Sequence, residues 1–308
     1  MRTVNRAGGR NRGSFVTGAV CGVGSAALFG LSAPLSKRLL PDVGSVMLAG
    51  LLYVGAGTGL TVVSLATGRK WPRLTTRDWG RLALIALVGG LVGPSLLMFG
   101  LRRLSGVAGS LLLNLEAVFT MALAVTFFGE RMNLAEWFGA TLIVIGAVVI
   151  SYSPDAFTAD WLGVLAVAGA CLSWGLDNNL TQQVSSYDPF SIVQIKTLSA
   201  GVGNVLLALA IGTRPVSGGV LGAALVVGFV CYGISIVLDV YALRFLGAAR
   251  EAVFFATAPF LGAVAAVPIL GDHLGRTQTF SALLMAAGVA VFQFKRSERR
   301  RPDAVPYE

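Results

Sequence analysis

The chain has 308 residues, 55% of them hydrophobic and only 13% charged, with a mean hydropathy of +0.75 and a formal net charge of +9. Soluble domains carry about 25% charged residues, and a chain of this size cannot hide so much apolar surface from water. A soluble globular protein is therefore excluded, and lipid is the solvent this composition calls for.

A membrane-crossing helix needs about 20 apolar residues. Residues 1–14 are basic and precede the first apolar run, which reads as an uncleaved span because so many others follow. The runs are 15–36, 43–67, 80–101, 106–128, 134–152, 160–183, 189–212, 218–243, 250–270 and 277–294, and a basic tail covers 295–308. Short connectors separate them, marked by breakers such as Pro41-Asp42, Ser153-Pro154-Asp155 and Asp188-Pro189. With the N-terminus inside, the arginines of the N-terminus, the 69–81 cluster and the tail fall on the inner side. Lys37, Arg38, Arg102, Arg103, Arg214 and Arg276 fall outside. That bias puts both termini in the cytoplasm and the chain in the cell (inner) membrane. Because the basic residues mark the ends of spans, they do not argue for nucleic acid.

Glycine is abundant, at 39 residues, and small residues let membrane helices approach closely. Gly18-xxx-Gly22, Gly55-xxx-Gly59, Gly89-xxx-Gly93 and Gly218-xxx-Gly222 have the spacing of such contacts. Cys21, Cys171 and Cys231 lie inside apolar runs with no CxxC pair and no nearby histidine, and read as small core residues.

The two halves repeat. FGLRRLSGVAGSLLLNLEAVF (99–119) aligns without a gap to YALRFLGAAREAVFFATAPFL (241–261), and the register continues from Gly129-Glu130 to Gly271-Asp272. Earlier, GAVCGVGSAALFG (18–30) aligns with GVLAVAGACLSWG (163–175). An odd number of spans per copy turns the second copy upside down in the membrane. The expected fold is thus an all-α integral membrane protein of about ten helices, in two inverted five-helix repeats (15–152 and 160–294) around a central cavity. Inverted repeats of this kind build secondary transporters.

On these features the chain resembles the EamA family of the drug/metabolite transporter superfamily. The first helices of the two copies end in Leu28-Phe29-Gly30 and Ser173-Trp174-Gly175, and the fourth end in Phe128-Gly129-Glu130 and Leu270-Gly271-Asp272. The resemblance covers 15–294. It implies a cavity lined mainly by helices 1, 3, 4, 6, 8 and 9, and transport of small metabolites. Family members usually carry a proline in the fourth helix of each copy; this chain keeps Pro259 but has Ala117 at the matching place.

Polar groups inside apolar spans are costly and so point to function. On helix 6, Ser173, Trp174, Asp177, Asn178 and Thr181 share an arc of about 140°. Helix 8 brings Tyr232, Ser235 and Asp239 within about 60°, with Arg244 and Arg250 as candidate partners of Asp239. Helix 7 holds Lys196 too deep to snorkel, and Asp177 or Asp239 are the carboxylates able to pair with it. On helix 4, Glu116 and Asn114 stand about 200° apart, so one faces the cavity and the other a neighbouring helix. A desolvated Glu116 can take and release a proton in the working pH range. Trp174, Asp177, Asn178, Tyr232, Phe99 and Asn114 are the expected substrate contacts, and Glu116, Lys196 and Asp239 the proton-coupling or charge-pairing groups. Three acids and one base suit a zwitterionic or cationic metabolite, such as an amino acid or amine, with aromatic rings to face it.

The expected function is secondary transport by alternating access, with a flippase for lipids or lipid-linked sugars as the alternative. A membrane enzyme is more distant. The only histidine is His273, and HExxH, GxSxG and nucleotide-binding P-loop motifs are absent from the sequence. No metal or cofactor is expected. The expected partners are the small-molecule substrate, membrane lipids and, as a candidate, a second copy of the chain.

Overall fold

The computed structural model describes residues 7–69, 74–128, 133–152, 160–182, 184, 187–213, 216–246 and 253–299. Ten spans follow in order: α1 (Ala7–Leu39), α2 (Ser45–Ala66), α3 (Thr76–Arg103), α4 (Gly106–Leu112 with Leu115–Phe128), α5 (Leu134–Ser151), α6 (Trp161–Gln182), α7 (Pro189–Ala210), α8 (Gly218–Val227, Gly228–Ile234 and Ser235–Leu246), α9 (Val253–Leu270, its main part Ala258–Leu270) and α10 (Arg276–Arg299). Among the described residues there is no strand. Among the described residues, eight helices are long and apolar enough to cross a membrane.

The ends of the helices are written in local chemistry. Thr75, Ser105, Asn133, Asp188 and Ser217 each accept a backbone N–H at the N-terminus of α3, α4, α5, α7 and α8, satisfying donors that the first turn leaves free. Asn133 and Glu136 form a reciprocal capping box (2.7 and 2.9 Å). Gly68 and Gly271, at φ 62° and 73°, take the left-handed turn that ends α2 and α9.

The helices pair as a pseudo-twofold demands. α1 packs on α8 and α9, while its counterpart α6 packs on α3 and α4; α2 pairs with α7, α4 with α9 and α5 with α10. Exchanging the repeats maps this set onto itself. The α5–α10 crossing shows the symmetry at atomic scale. A Cβ on Gly146 would meet the Ser281 carbonyl at 3.1 Å, and one on Gly288 would meet the Gly139 carbonyl at 2.6 Å. In the 99–241 register these are equivalent positions. Gly18-xxx-Gly22 lies against Phe245, Leu246 and Phe254. Gly55-xxx-Gly59 lies against Leu225 and Phe229. Gly218-xxx-Gly222 is different: both glycines face open space, so this pair packs nothing.

Two local departures from α geometry recur in both copies. The third helix of each contains a seven-residue π segment, Ala86–Val92 in α3 and Gly228–Ile234 in α8. They fall on the same positions of the gapless alignment. The fourth helix of each is interrupted, at 113–114 in α4 and at 256–257 in α9, one residue apart in that register. In α9 the break directly precedes Pro259, whose ring excludes a preceding helical turn. In α4, where Ala117 replaces the proline, the helix breaks all the same. There the Leu111 carbonyl accepts both from Asn114 Nδ2 (2.8 Å) and from the Asn114 backbone N–H (3.1 Å).

One end of the bundle is stitched by charge. Lys37 Nζ donates to the Leu101 carbonyl (2.7 Å), Arg102 donates to the Val43 carbonyl (2.8 Å), and Arg103 pairs with Asp160. The hydrogen bond and charge of Arg103 hold the Asp160 carboxyl below its ordinary range. The stabilisation from this pair is therefore present at neutral pH and is lost as pH falls through that depressed pKa. Arg103→Gln should lower thermal stability slightly on the neutral side and flatten its acid limb; an unchanged stability–pH profile would refute the linkage. At the other end Arg69 pairs with Asp188 (3.5 Å) and lies over the Phe190 ring, while Tyr187 donates to Asp78 (2.7 Å).

Candidate functional site

The C-terminal half of α6, Trp174 to Asn179, carries several polar side chains that meet between the two halves. Successive residues on a helix point about 100° apart, so Asp177 and Asn178 serve different neighbours. Asp177 turns to α7 and forms a buried ion pair with Lys196, the side chains being 5% and 17% exposed. Of the two carboxylates open to Lys196 in the sequence, Asp177 is the partner. Thr181 also donates to Asp177 (3.4 Å). The pair lies against α3 at a glycine: a Cβ on Gly89 would meet Asp177 Cγ at 2.3 Å.

Asn178 turns to α4 and donates through Nδ2 to Glu116 Oε1 (2.9 Å). Asn178 is exposed and Glu116 half-buried. The exposed apolar residues of α6 are Trp161, Leu162, Leu165 and Leu172, and Asn178 stands about 100–160° away from each of them around the helix, on the side that meets α4. Asn179, which the sequence did not single out, donates to the Thr120 carbonyl (3.0 Å) and locks α6 to α4. A Cβ on Gly175 would meet Thr120 N at 2.9 Å, so the same contact needs a glycine one turn earlier.

Trp174 is buried and donates through Nε1 to the Gly89 carbonyl (2.9 Å), which also accepts from Tyr53 (3.4 Å). Beyond Tyr53 lies a group of rings: Tyr53 and Phe29 stand 5.7 and 5.9 Å from Tyr232, and Phe255 stands 5.1 Å from Phe29. Tyr232 thus belongs to an aromatic cluster shared by α1, α2, α8 and α9, adjoining the acidic cluster through Tyr53.

The other sequence candidates lie elsewhere. Phe99 is 40% exposed and sits beneath the Arg103 guanidinium, 4.7 Å from its ring centre, at the stitched end of the bundle. It does not join the cluster, because the face of α3 that reaches α6 there carries Gly100 instead. Asn114 is buried, with its amide used on Leu111 and turned toward Met285 of α10 (3.8 Å). It closes the helix break rather than lining the space beside Glu116. Asp239 is half-buried on α8, and Lys196 pairs with Asp177 instead. Arg250 and the side chain of Arg244 lie outside the described residues, as does Glu130. Among the described residues there is no cluster of His, Cys, Asp and Glu fit to hold a metal.

Sequence reasoning left Gly89, Gly90, Tyr53, Ser95 and Asn204 without roles at this site. The signal was present in Gly89-Gly90 followed by Gly93-Pro94. Such a group of breakers inside an apolar run marks irregular backbone, which in a membrane is tolerated only where protein or water satisfies it.

Two inverted five-helix copies, each with an interrupted fourth helix, meeting at buried ionisable side chains, define a membrane transporter. The comparison with known families agrees. The chain belongs to the EamA-like transporter family, whose model matches residues 16–152 and again 161–294. A protein of Methanothermobacter thermautotrophicus named as an uncharacterized transporter is 28% identical over 285 residues, covering 85% of this chain and 82% of its own. The Escherichia coli inner membrane transporter YedA, likewise uncharacterized, is 24% identical over 80% of this chain and 79% of its own. A Streptantibioticus cattleyicolor protein named a probable terminal-alkyne amino-acid exporter is 26% identical, over 82% and 84% respectively. A solved crystal structure superposes with a TM-score of 0.68 over 92% of this chain and 99% of its own; at 18% identity this likeness concerns the fold alone.

Proposed function

We propose that this transporter is a secondary carrier for a small zwitterionic or cationic metabolite, an amino acid or amine, working by alternating access and coupled to protons through Glu116. Its place is the cell (inner) membrane with both termini in the cytoplasm, following the distribution of Lys and Arg. The observation that carries the reading is the Glu116–Asn178 pair between the two repeats, with Asn178 exposed and one residue from the buried Asp177–Lys196 pair. Glu116 offers a carboxylate to an ammonium group, and Lys196 supplies the cation that a substrate carboxylate would seek. The relative named as an amino-acid exporter supports the same class. A carboxyl group that binds either a proton or an ammonium, but not both, exchanges one for the other across the membrane.

The test is metabolite profiling of cells and medium on overproduction of the wild type, of Glu116→Gln and of the double variant Asp177→Asn/Lys196→Met, at matched membrane levels. An amine-bearing compound should redistribute with the wild type alone. In vesicles its accumulation should follow an imposed pH gradient by about tenfold per pH unit for one coupled proton, and Glu116→Gln should remove that dependence. If all three proteins move the compound alike, the site is wrong. If nothing moves, lipids are the next cargo to profile.

A further inference from the structure

The two π segments occupy equivalent positions, but their backbones are satisfied differently, and the difference traces to one residue. In α3 the Gly93 N–H bonds the Val88 carbonyl, five residues back. The donor next in line for the Gly89 carbonyl is then residue 94, which is proline and has no N–H. In ordinary α register the same residue would have served Gly90. Pro94 therefore leaves one carbonyl of this pair without its backbone donor in either register, Gly89 in the π turn and Gly90 in an α turn. Both are bonded by side chains from other helices. Gly89 accepts from Trp174 and Tyr53. Gly90 accepts from Asn204 Nδ2 of α7 (3.3 Å), with the Leu91 carbonyl at 3.5 Å. Ser95 donates to Asn204 Oδ1 (2.9 Å), which fixes the orientation of the amide. Asn204 is fully buried.

In α8 the position equivalent to Pro94 is Ile236, which keeps its N–H. There the Cys231 carbonyl is taken within the turn by Ser235 (2.7 Å). One copy thus carries a π turn held from outside, and the other a π turn that holds itself. A π turn can move along a helix or revert by shifting hydrogen bonds one residue at a time. The first can do so only when its outside donors let go.

The geometry points to Asn204 as a positioning residue of the transport cycle: its amide latches the α3 π turn and so sets the balance between the two arrangements of the bundle. This rests on the alternating-access reading above. Asn204 acts through the backbone of Gly90 and Leu91, and through them on Gly89, against which Asp177 is seated. It need not touch substrate. Removing the latch favours the arrangement absent here, and the two ends of the bundle should respond in opposite senses.

The experiment is pulsed-EPR distance measurement on spin-labelled protein in lipid without substrate, in a background with the native cysteines replaced by alanine. One label pair, Gly80→Cys with Val253→Cys, reports one end of the bundle. The other, Leu162→Cys with Gly219→Cys, reports the opposite end. All four positions are exposed. Asn204→Leu should change the ratio of the two distance populations by about tenfold, a size expected for loss of buried hydrogen bonds. One end should lengthen while the other shortens. Ser95→Ala, which loosens Asn204 without removing it, should give a smaller shift of the same sense and covers the case in which Asn204→Leu does not fold. Unchanged distributions in a folded variant, or broadening at both ends together, would overturn the proposal, since simple loosening is not reciprocal. The measurement uses no substrate, so the latch can stand if Glu116→Gln leaves transport unaltered, and can fall while the substrate site holds.

Discussion

Replacing Asp177 by asparagine should cost the folded bundle about 3–5 kcal/mol, the penalty for leaving a buried charge without its partner. Lys196 would be that charge. Its side chain is only 17% exposed, and Asp177, at 5%, is its ion-pair partner. Lys196→Met should be similarly damaging, since it strands Asp177 against Gly89 and the α3 backbone. The double variant Asp177→Asn/Lys196→Met removes both charges at once, and a buried pair replaced by neutral groups is often close to isoenergetic with the original. Stability of the double variant should therefore return most of the way to wild type. Unfolding midpoints in mild detergent, read for the four proteins of the cycle, give the coupling directly. Additive losses in the double variant would mean that the two side chains do not act as a pair. Recovery of stability without recovery of transport would separate the structural part of the pair from its part in the cycle.

Gly228→Ala should prevent normal assembly of α2 with α8. The new Cβ would lie 2.1 Å from the Leu52 carbonyl oxygen, and a Cβ on Gly55 across the same contact would lie 2.3 Å from the Leu225 carbonyl oxygen. Both obstacles are backbone atoms. A side chain can rotate away, but a helix carbonyl can be cleared only by separating the helices, which forfeits the close packing on which membrane helix association depends. Overpacking typically costs about 1–3 kcal/mol, and here the upper part of that range applies because nothing flexible can absorb the methyl group. The matched control is Gly222→Ala, which meets nothing within 4 Å and should change stability by no more than about 0.5 kcal/mol. Size-exclusion profiles and melting in detergent compare the two. Equal behaviour would show that the α2–α8 spacing can relax.

The contrast between these two glycines shows where sequence reading reaches its limit. Gly55-xxx-Gly59 and Gly218-xxx-Gly222 have the same spacing, yet one is a tight crossing and the other faces open space. Spacing places two small residues on one face of a helix but does not say which neighbour that face meets. The same holds for Phe99 and Asn114. Their types and depths were legible, whereas their directions, toward Arg103 and toward Leu111 and Met285, depend on how α3 and α4 are rotated. Lys196 was recognisable as a buried cation in need of a carboxylate, but the choice between Asp177 and Asp239 required the packing of α6 and α7 on the π segment of α3.

By itself the sequence determined the class, the ten spans and their twofold repetition. Lipid imposes apolar runs of a given length, and a repeated copy keeps its spacing even after its side chains have diverged. The tertiary structure alone decided which polar groups meet. Pro94 removes one N–H, but only in three dimensions do Trp174, Tyr53 and Asn204, drawn from three other helices, arrive at the Gly89 and Gly90 carbonyls. Hydrogen-bond demand is local and can be read along the chain. The donors that meet it come from distant segments, and their arrival depends on how the helices are rotated and packed.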